Sequence, residues 1–261
     1  MTLKQDLLDL MMVPGLSGHE QRIRAAIRAR LPKGLHPTTD ALGNLTVSFP
    51  GHGPRVMLFT HMDQLGFIVR KVEADGSLRV ERLGGVPERA LAGQAVVIST
   101  DSGDIPGVIA NKSHHATTAE EKYTVLRAPD LRIDCGFSTR AEAEAQGIRI
   151  GAPVVYRPNA MELANGRICG TAVDDRAGCA VLLDVIRALA ARKQGPEVHV
   201  VFTVQEEFNL RGAQVAAQAI QPQIAIQVDL MNATDTPDMA DRGEMFLGQG
   251  PGMSLYSFHG R

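Results

Sequence analysis

Residues 198–207 read Val-His-Val-Val-Phe-Thr-Val-Gln-Glu-Glu, an apolar run that ends abruptly in the adjacent carboxylates of Glu206 and Glu207. Such a run is typical of a strand buried on both faces, as in the middle of a mainly parallel sheet flanked by helices. Because open α/β sheets bind ligands outside the carboxyl ends of their strands, the two acids lie where a site is expected. A Glu-Glu pair alone more often opens a solvated loop, so the other strand ends decide between the two interpretations.

The composition excludes several classes of protein. The chain has 261 residues, of which 44% are hydrophobic, enough for one large domain or two modest ones with a sizeable core. Its net charge of -2, with no basic cluster, predicts no nucleic-acid and no membrane partner. Three cysteines without a CxxC spacing argue against a disulfide framework and a thiolate zinc site. With a charge-interrupted N-terminus and no membrane-length apolar run, we expect a soluble cytoplasmic protein.

Two further apolar runs end in side chains that bind metals. One run is followed by His61 and Asp63, and another, residues 224–228, is followed by Asp229. Asp174 stands in the loop before a long apolar helix. If these runs are buried strands of one sheet, their polar ends meet at one edge, and a purely solvated loop no longer explains the pattern.

The residue types at these ends indicate metal chemistry. Several carboxylates packed within a few ångströms repel one another unless a cation offsets their charge. Histidine with carboxylates and no thiolate suits zinc, cobalt or manganese. Since positions i and i+2 of an extended chain point to the same side, Asp63 can accept the second N–H of His61 and orient its ring.

The middle of the chain has a different texture. Residues 66–156 contain short alternating strands separated by glycine turns, which predicts a small β-rich domain inserted into an α/β parent made of residues 1–65 and 157–261. Near the N-terminus, Ser17 and Glu20 have the spacing of a capping box that would begin a helix.

Seven motifs follow one another along the chain: Asp40-Ala41-Leu42-Gly43-Asn44-Leu45, His61-Met62-Asp63, Leu131-Arg132-Ile133-Asp134-Cys135-Gly136, Asp174-Asp175-Arg176-x-Gly178, Thr203-Val204-Gln205-Glu206-Glu207, Arg211-Gly212-Ala213 and Asp235-Thr236-Pro237. No single motif is diagnostic. Their order and spacing together resemble those of the M42 metallo-aminopeptidases, the family of glutamyl and tetrahedral aminopeptidases, and the resemblance runs through the whole chain.

The resemblance implies two divalent metal ions per subunit, with zinc or cobalt as the expected metals. His61 and Asp229 would bind one ion, Asp174 would bridge both, and Glu207 would bind the other. Family members carry a further histidine ligand well downstream of the Asp229 position, and the sequence ends at Arg261 before that segment. We therefore expect the second site to be weak or empty.

The resemblance also implies the reaction and the partners. The chain would hydrolyse N-terminal residues of short peptides, with Glu206 as the general base that takes a proton from the metal-activated water and Asp63 as the residue that orients His61. The inserted domain would mediate dimerisation, and the subunits would form a homo-oligomer between a dimer and a dodecamer.

Two other functions compete with this one. The first is an inactive or structural M42-like subunit that lacks the last metal ligand. The second is a related two-metal hydrolase that removes acyl or carboxy-terminal groups. Among the neighbouring residues, Gln64 stands where the family commonly has Glu. Asp175 is expected to be a loop or helix-start residue, and Arg176 is expected to pair with a nearby carboxylate rather than to contact the substrate.

Overall fold

The computed structural model describes residues 2–254. The N-terminal part has two helices followed by three strands, strands dominate the middle of the chain, and helices and strands alternate from residue 173 onward. The five α-helices of residues 2–254 are α1 (Leu3–Met11), α2 (Gln21–Arg28), α3 (Arg140–Ala145), α4 (Val173–Ala191) and α5 (Arg211–Ile220). The strands of the described part are β1 (Thr38–Thr39), β2 (Leu45–Phe49), β3 (Arg55–His61), β4 (Gly66–Val72), β5 (Leu78–Leu83), β6 (Ala95–Thr100), β7 (Gly103–Ile109), β8 (Ile133–Asp134), β9 (Pro153–Tyr156), β10 (Ala160–Glu162), β11 (Ile168–Gly170), β12 (Glu197–Thr203) and β13 (Ile224–Gln227).

The main sheet has five strands in the spatial order β1-β2-β12-β3-β13. β3 runs parallel to both β12 and β13, whereas β2 runs antiparallel to β12 and to β1. The sheet is therefore mixed, because β2 runs opposite to the other four strands. Only five residues connect β2 to β3, and parallel strands need a crossover of a dozen or more residues, so these two strands must run in opposite directions.

Helices cover both faces of this sheet. The larger core joins α1, α2 and α4 to one face and includes Ile23, Leu182 and Phe202, all fully buried. α5 packs on the opposite face, where Ala216 contacts Val201 of β12. Burial on both faces explains why residues 198–204 read as one apolar run. No described helix is long and apolar enough to cross a membrane.

The middle of the chain forms a closed barrel in the order β4-β5-β8-β7-β6-β9. Its strands lie between Gly66 and Tyr156, and its interior is a separate hydrophobic cluster that includes Phe67, Leu78 and Ile98. The short alternating strands predicted for this region are present. The division into a parent domain and an inserted domain stays a prediction.

The third strand of the site was predicted to be buried, and this prediction was wrong. All four residues of β13 are exposed, with Ile224 45% and Ile226 50% accessible. β13 is an edge strand that pairs with β3, and no other strand of the described part pairs with its outer edge. An apolar sequence therefore predicted the strand correctly but not its burial.

The predicted capping box between Ser17 and Glu20 is also absent. α2 begins at Gln21, after a turn at Gly18 with a φ of 83°. The Glu20 carboxylate instead accepts hydrogen bonds from the Gly18 and Gln205 amides. The Ser17 hydroxyl is buried without a hydrogen-bond partner among the described residues.

Candidate active site

The predicted strand ends meet at one edge of the sheet. His61 is the last residue of β3, and its register partner Thr203 is the last residue of β12. β13 pairs in parallel with the other side of β3, so that Asp229 follows at the same edge. α4 supplies Asp174 from its first turn, where the backbone is not yet helical. The topology thus explains why residues far apart in sequence converge here.

His61 is the centre of the cluster and is almost completely buried. Its Nε2 lies 2.9 Å from Asp174 Oδ1, 3.9 Å from Glu206 Oε2 and 4.0 Å from Asp229 Oδ1. One ligand atom from each of His61, Asp174 and Asp229 lies within 4.8 Å of the other two. The two aspartates remain accessible, with 55% of the Asp174 side chain and 29% of the Asp229 side chain exposed.

The other ring nitrogen of His61 faces Asp63. Nδ1 lies 3.2 Å from the Asp63 backbone carbonyl and 3.5 Å from its carboxylate. The Asp63 carboxylate is fully buried and accepts hydrogen bonds from the amides of Glu206 (2.9 Å) and Glu207 (3.1 Å). Although burial alone raises an aspartate pKa, the contact with His61 and these two amides lower the pKa of Asp63. Asp63 thus stays charged and contacts both the histidine and the acid pair.

Glu206 and Glu207 occupy different surroundings. Glu206 points toward His61, whereas Glu207 lies outside the three-residue cluster, and its carboxylate faces Gly84 at the end of β5. A Cβ at Gly84 would lie 2.8 Å from Glu207 Oε2, and the φ of Gly84 is 86°, so this position requires glycine on both counts. The residue that would bind the second ion is therefore positioned partly by the barrel.

Three acids of the site, Glu206, Glu207 and Asp229, resist ionisation. Burial is the main cause that raises the pKa of Glu206 and Asp229, and the charges of neighbouring acids add to it. The same two causes raise the pKa of Glu207 to about 7. Burial alone would lower the pKa of His61, but its contacts with Asp174 and Asp63 raise that pKa well above its usual value. The acids thus favour a positive charge at Nε2, either the proton of an imidazolium or a cation in its place. The donor set of one imidazole and several carboxylates fits zinc, cobalt or manganese.

Asp175 and Arg176, the residues that follow Asp174, support the fold of the site. The Asp175 carboxylate is buried and accepts hydrogen bonds from the Gly178 amide and the Thr60 hydroxyl, which fits the predicted helix-start residue. The prediction for Arg176 was wrong, because no carboxylate of the described residues lies within ion-pair distance. Its buried guanidinium donates to backbone carbonyls and to the Gln64 side chain, an amide where the family commonly has a carboxylate.

The sequence did not place Glu20 at the site. The residue is 3% exposed, and its carboxylate accepts a hydrogen bond from the Gln205 amide, directly before the acid pair. The spacing of Ser17 and Glu20 predicted a local contact, and no sequence signal connects Glu20 to a residue 185 positions away. Only the structure shows that Glu20 is buried close to Asp63, beside the site.

A buried histidine among carboxylates, at the carboxyl edge of an α/β sheet, is typical of metal-dependent hydrolases. The family model described as M42 glutamyl aminopeptidase matches residues 43–259. The chain therefore belongs to the M42 peptidase family, which confirms the predicted family and its hydrolase class.

Individual relatives agree with this assignment. The lysyl aminopeptidase of Pyrococcus furiosus is 32% identical over 247 residues, which cover 93% of this chain and 70% of that protein. The solved TET aminopeptidase from Thaumarchaeota archaeon SCGC AB-539-E09 superposes with a TM-score of 0.83 at 33% identity, covering 90% of this chain and 68% of that one. The TET1 peptidase of Pyrococcus horikoshii, which can assemble into a tetrahedron or a large octahedral shell, gives a TM-score of 0.82 at 31% identity, with 87% and 68% covered. The mixed α/β fold is thus similar to that of the TET aminopeptidases.

Proposed function

We propose that this chain is a metal-dependent aminopeptidase that hydrolyses the N-terminal residue of short peptides. The observation that carries the proposal is the grouping of His61, Asp174 and Asp229, whose ligand atoms lie within 4.8 Å of one another. Names of relatives such as lysyl aminopeptidase and glutamyl aminopeptidase support the same substrate class.

The proposed metal ligands divide into two sets. His61, Asp174 and Asp229 would hold one ion, and Asp174 with Glu207 would hold a second, more weakly bound one. Bound divalent ions would polarise the scissile carbonyl and lower the pKa of the attacking water. Glu207 lies outside the three-residue cluster, as a ligand of a separate second ion would. The zinc or cobalt identity of the ions stays a prediction.

Glu206 is proposed as the general base. Its carboxylate lies next to the cluster with 23% of its side chain exposed, so a water and a peptide can reach it. Glu206 accepts one proton from the water as the water oxygen adds to the carbonyl carbon. When the C–N bond breaks, Glu206 delivers that proton to the leaving amine. Asp63 holds His61 in orientation and fixes the backbone of Glu206.

The proposed function includes an assembly of several subunits. We propose that residues 66–156 form an inserted domain that mediates dimerisation and that the subunits form a homo-oligomer. Exposed apolar side chains on this part of the chain support a protein interface, with Tyr123 90%, Val125 48% and Leu126 45% accessible. The solved TET1 peptidase supports an assembly larger than a dimer. A cytoplasmic location stays a prediction.

The test compares free with N-blocked peptides. Leucyl-, lysyl- and glutamyl-glycine and their N-acetyl forms are incubated with the chain and added Zn²⁺ or Co²⁺, and release of the N-terminal residue is measured. We expect cleavage of free dipeptides only. Equal cleavage of free and blocked peptides would replace the aminopeptidase with the acyl-group hydrolase, and no cleavage with either metal would support the structural-subunit alternative.

A further inference from the structure

Four consecutive amides after β12 are held by side chains from distant segments. The Val204 amide donates to Asn44 Oδ1 at 3.0 Å and the Gln205 amide to Glu20 Oε1 at 3.1 Å. The next two amides, those of Glu206 and Glu207, donate to the carboxylate of Asp63. β12 ends at Thr203, and among the described residues its pairings with β2 and β3 reach no further than Thr203. Buried amides need a partner, and these side chains supply it.

The contact of Glu20 falls where the chain changes direction. Gln205 has a φ of 54°, in the left-handed region that non-glycine residues seldom adopt. This conformation turns the chain out of the sheet and sets the direction in which the next two side chains leave the backbone. The hydrogen bond from its amide to a carboxylate is stronger than one to a neutral acceptor, and it opposes relaxation of the strained residue.

Glu20 is itself fixed in place. The same Oε1 accepts the Gly18 amide at 2.6 Å, and the residue stands directly before α2. Glu20 is buried close to Asp63. Burial raises the pKa of Glu20, and the negative charge of Asp63 raises it further. If Glu20 served the fold alone, a second buried carboxylate beside Asp63 would be unfavourable. A neutral acceptor would satisfy the two amides without repulsion between like charges.

We propose that Glu20 is a positioning residue of the proposed active site. It holds Gln205 in its left-handed conformation and thereby directs the carboxylates of Glu206 and Glu207 toward the site. Its effect on turnover rests on the proposed aminopeptidase function, whereas its effect on the backbone of residues 205–207 does not. A residue that only supported the start of α2 would affect stability without affecting this segment.

The experiment compares four variants of the full chain. Glu20→Ala removes the acceptor, Glu20→Asp withdraws it by one methylene while keeping the charge, and Glu20→Gln keeps an acceptor oxygen at the same reach. Asp6→Ala is the matched control, because Asp6 is equally buried and pairs with Arg187 far from the site. The measurements are kcat and KM for the free dipeptide cleaved fastest by the wild type, and amide hydrogen exchange of residues 204–210 by mass spectrometry.

For E20A and E20D we expect faster exchange at residues 205–207 and a kcat lowered about 10- to 100-fold with KM within about twofold, because misplacing a catalytic group by about an ångström has such an effect. E20Q keeps the acceptor oxygen but loses the charge, so its exchange and its kcat should fall between those of the wild type and those of E20A. D6A should lower the melting temperature and leave both readouts unchanged.

The outcomes separate the two proposals. If E20A and E20D match D6A in exchange and kcat, Glu20 is not a positioning residue. If the wild type cleaves no peptide but E20A and E20D alone loosen residues 205–207, the aminopeptidase function fails and the positioning of the loop stands. E20D decides the matter in the same way if E20A does not fold.

Discussion

The ends of β12 and β13 both carry acids of the proposed site, but they are held in different ways. β12 is buried between two neighbouring strands, and the amides that follow it are fixed by Asn44, Glu20 and Asp63. β13 is an exposed edge strand, and the hydrogen bonds of Asp229 run to Gln227 and Leu230 of its own segment. Tertiary contacts therefore position the proposed base, whereas local contacts position one proposed metal ligand.

The largest expected effect concerns the base at the end of β12. Glu206→Gln keeps the backbone contact with Asp63 but cannot accept a proton, so kcat should fall about 10²- to 10⁴-fold while metal content stays unchanged. The matched control is Glu197→Gln, a partly exposed glutamate at the start of the same strand, which should leave kcat unchanged. Full turnover in E206Q would remove Glu206 from the mechanism.

The second prediction compares the burial of the two strands. Phe202→Ala in β12 should lower the free energy of unfolding by about 3–5 kcal/mol, because it empties a fully buried site. Ile226→Ala in β13 should change it by no more than about 0.5 kcal/mol, because the side chain is half exposed. Chemical denaturation measures both. A large loss in I226A would show that something covers β13 in solution.

The third prediction separates the roles of two aspartates. Asp63→Ala should lower kcat about 10- to 100-fold even at saturating metal, because Asp63 fixes His61 and two amides of the acid pair. Asp229→Ala should mainly weaken metal binding, and added Zn²⁺ or Co²⁺ should restore part of its activity. The reverse pattern, with D63A rescued by metal and D229A not, would contradict the difference between the two strand ends.

The smallest expected effect is a pH dependence of the metal-free chain. Burial raises the pKa of Asp175 to about 7, above its unfolded value of about 4, so the folded state keeps a proton that the unfolded state loses between these values. Stability should therefore fall as the pH rises from about 4 to 7. Thermal unfolding of the chelator-treated protein at pH 5 and pH 8 tests this, and Asp175→Asn should show a smaller difference. An equal difference in both proteins would exclude Asp175 as the cause.

Sequence patterns predicted the strands and their polar ends because burial on both faces leaves an apolar run and sheet topology brings the ends together. His61 and Asp229 converge for this reason, and Asp174 joins them from the first turn of α4. The same patterns did not predict that β13 is exposed, because an apolar run gives the composition of a segment and not the elements that pack on it. They also missed the contact between Glu20 and Gln205, and the neutral partner of Arg176, because side-chain pairs far apart in sequence leave no local periodicity.

The most direct test of the proposed site is metal binding by the chelator-treated chain. Zn²⁺ and Co²⁺ are titrated calorimetrically into the wild type and into His61→Ala, which removes the imidazole at the centre of the cluster. We predict at least one tightly bound ion per wild-type chain and loss of that binding in H61A. Equal binding by both proteins, or no tight binding by the wild type, would contradict a metal site built on His61, Asp174 and Asp229.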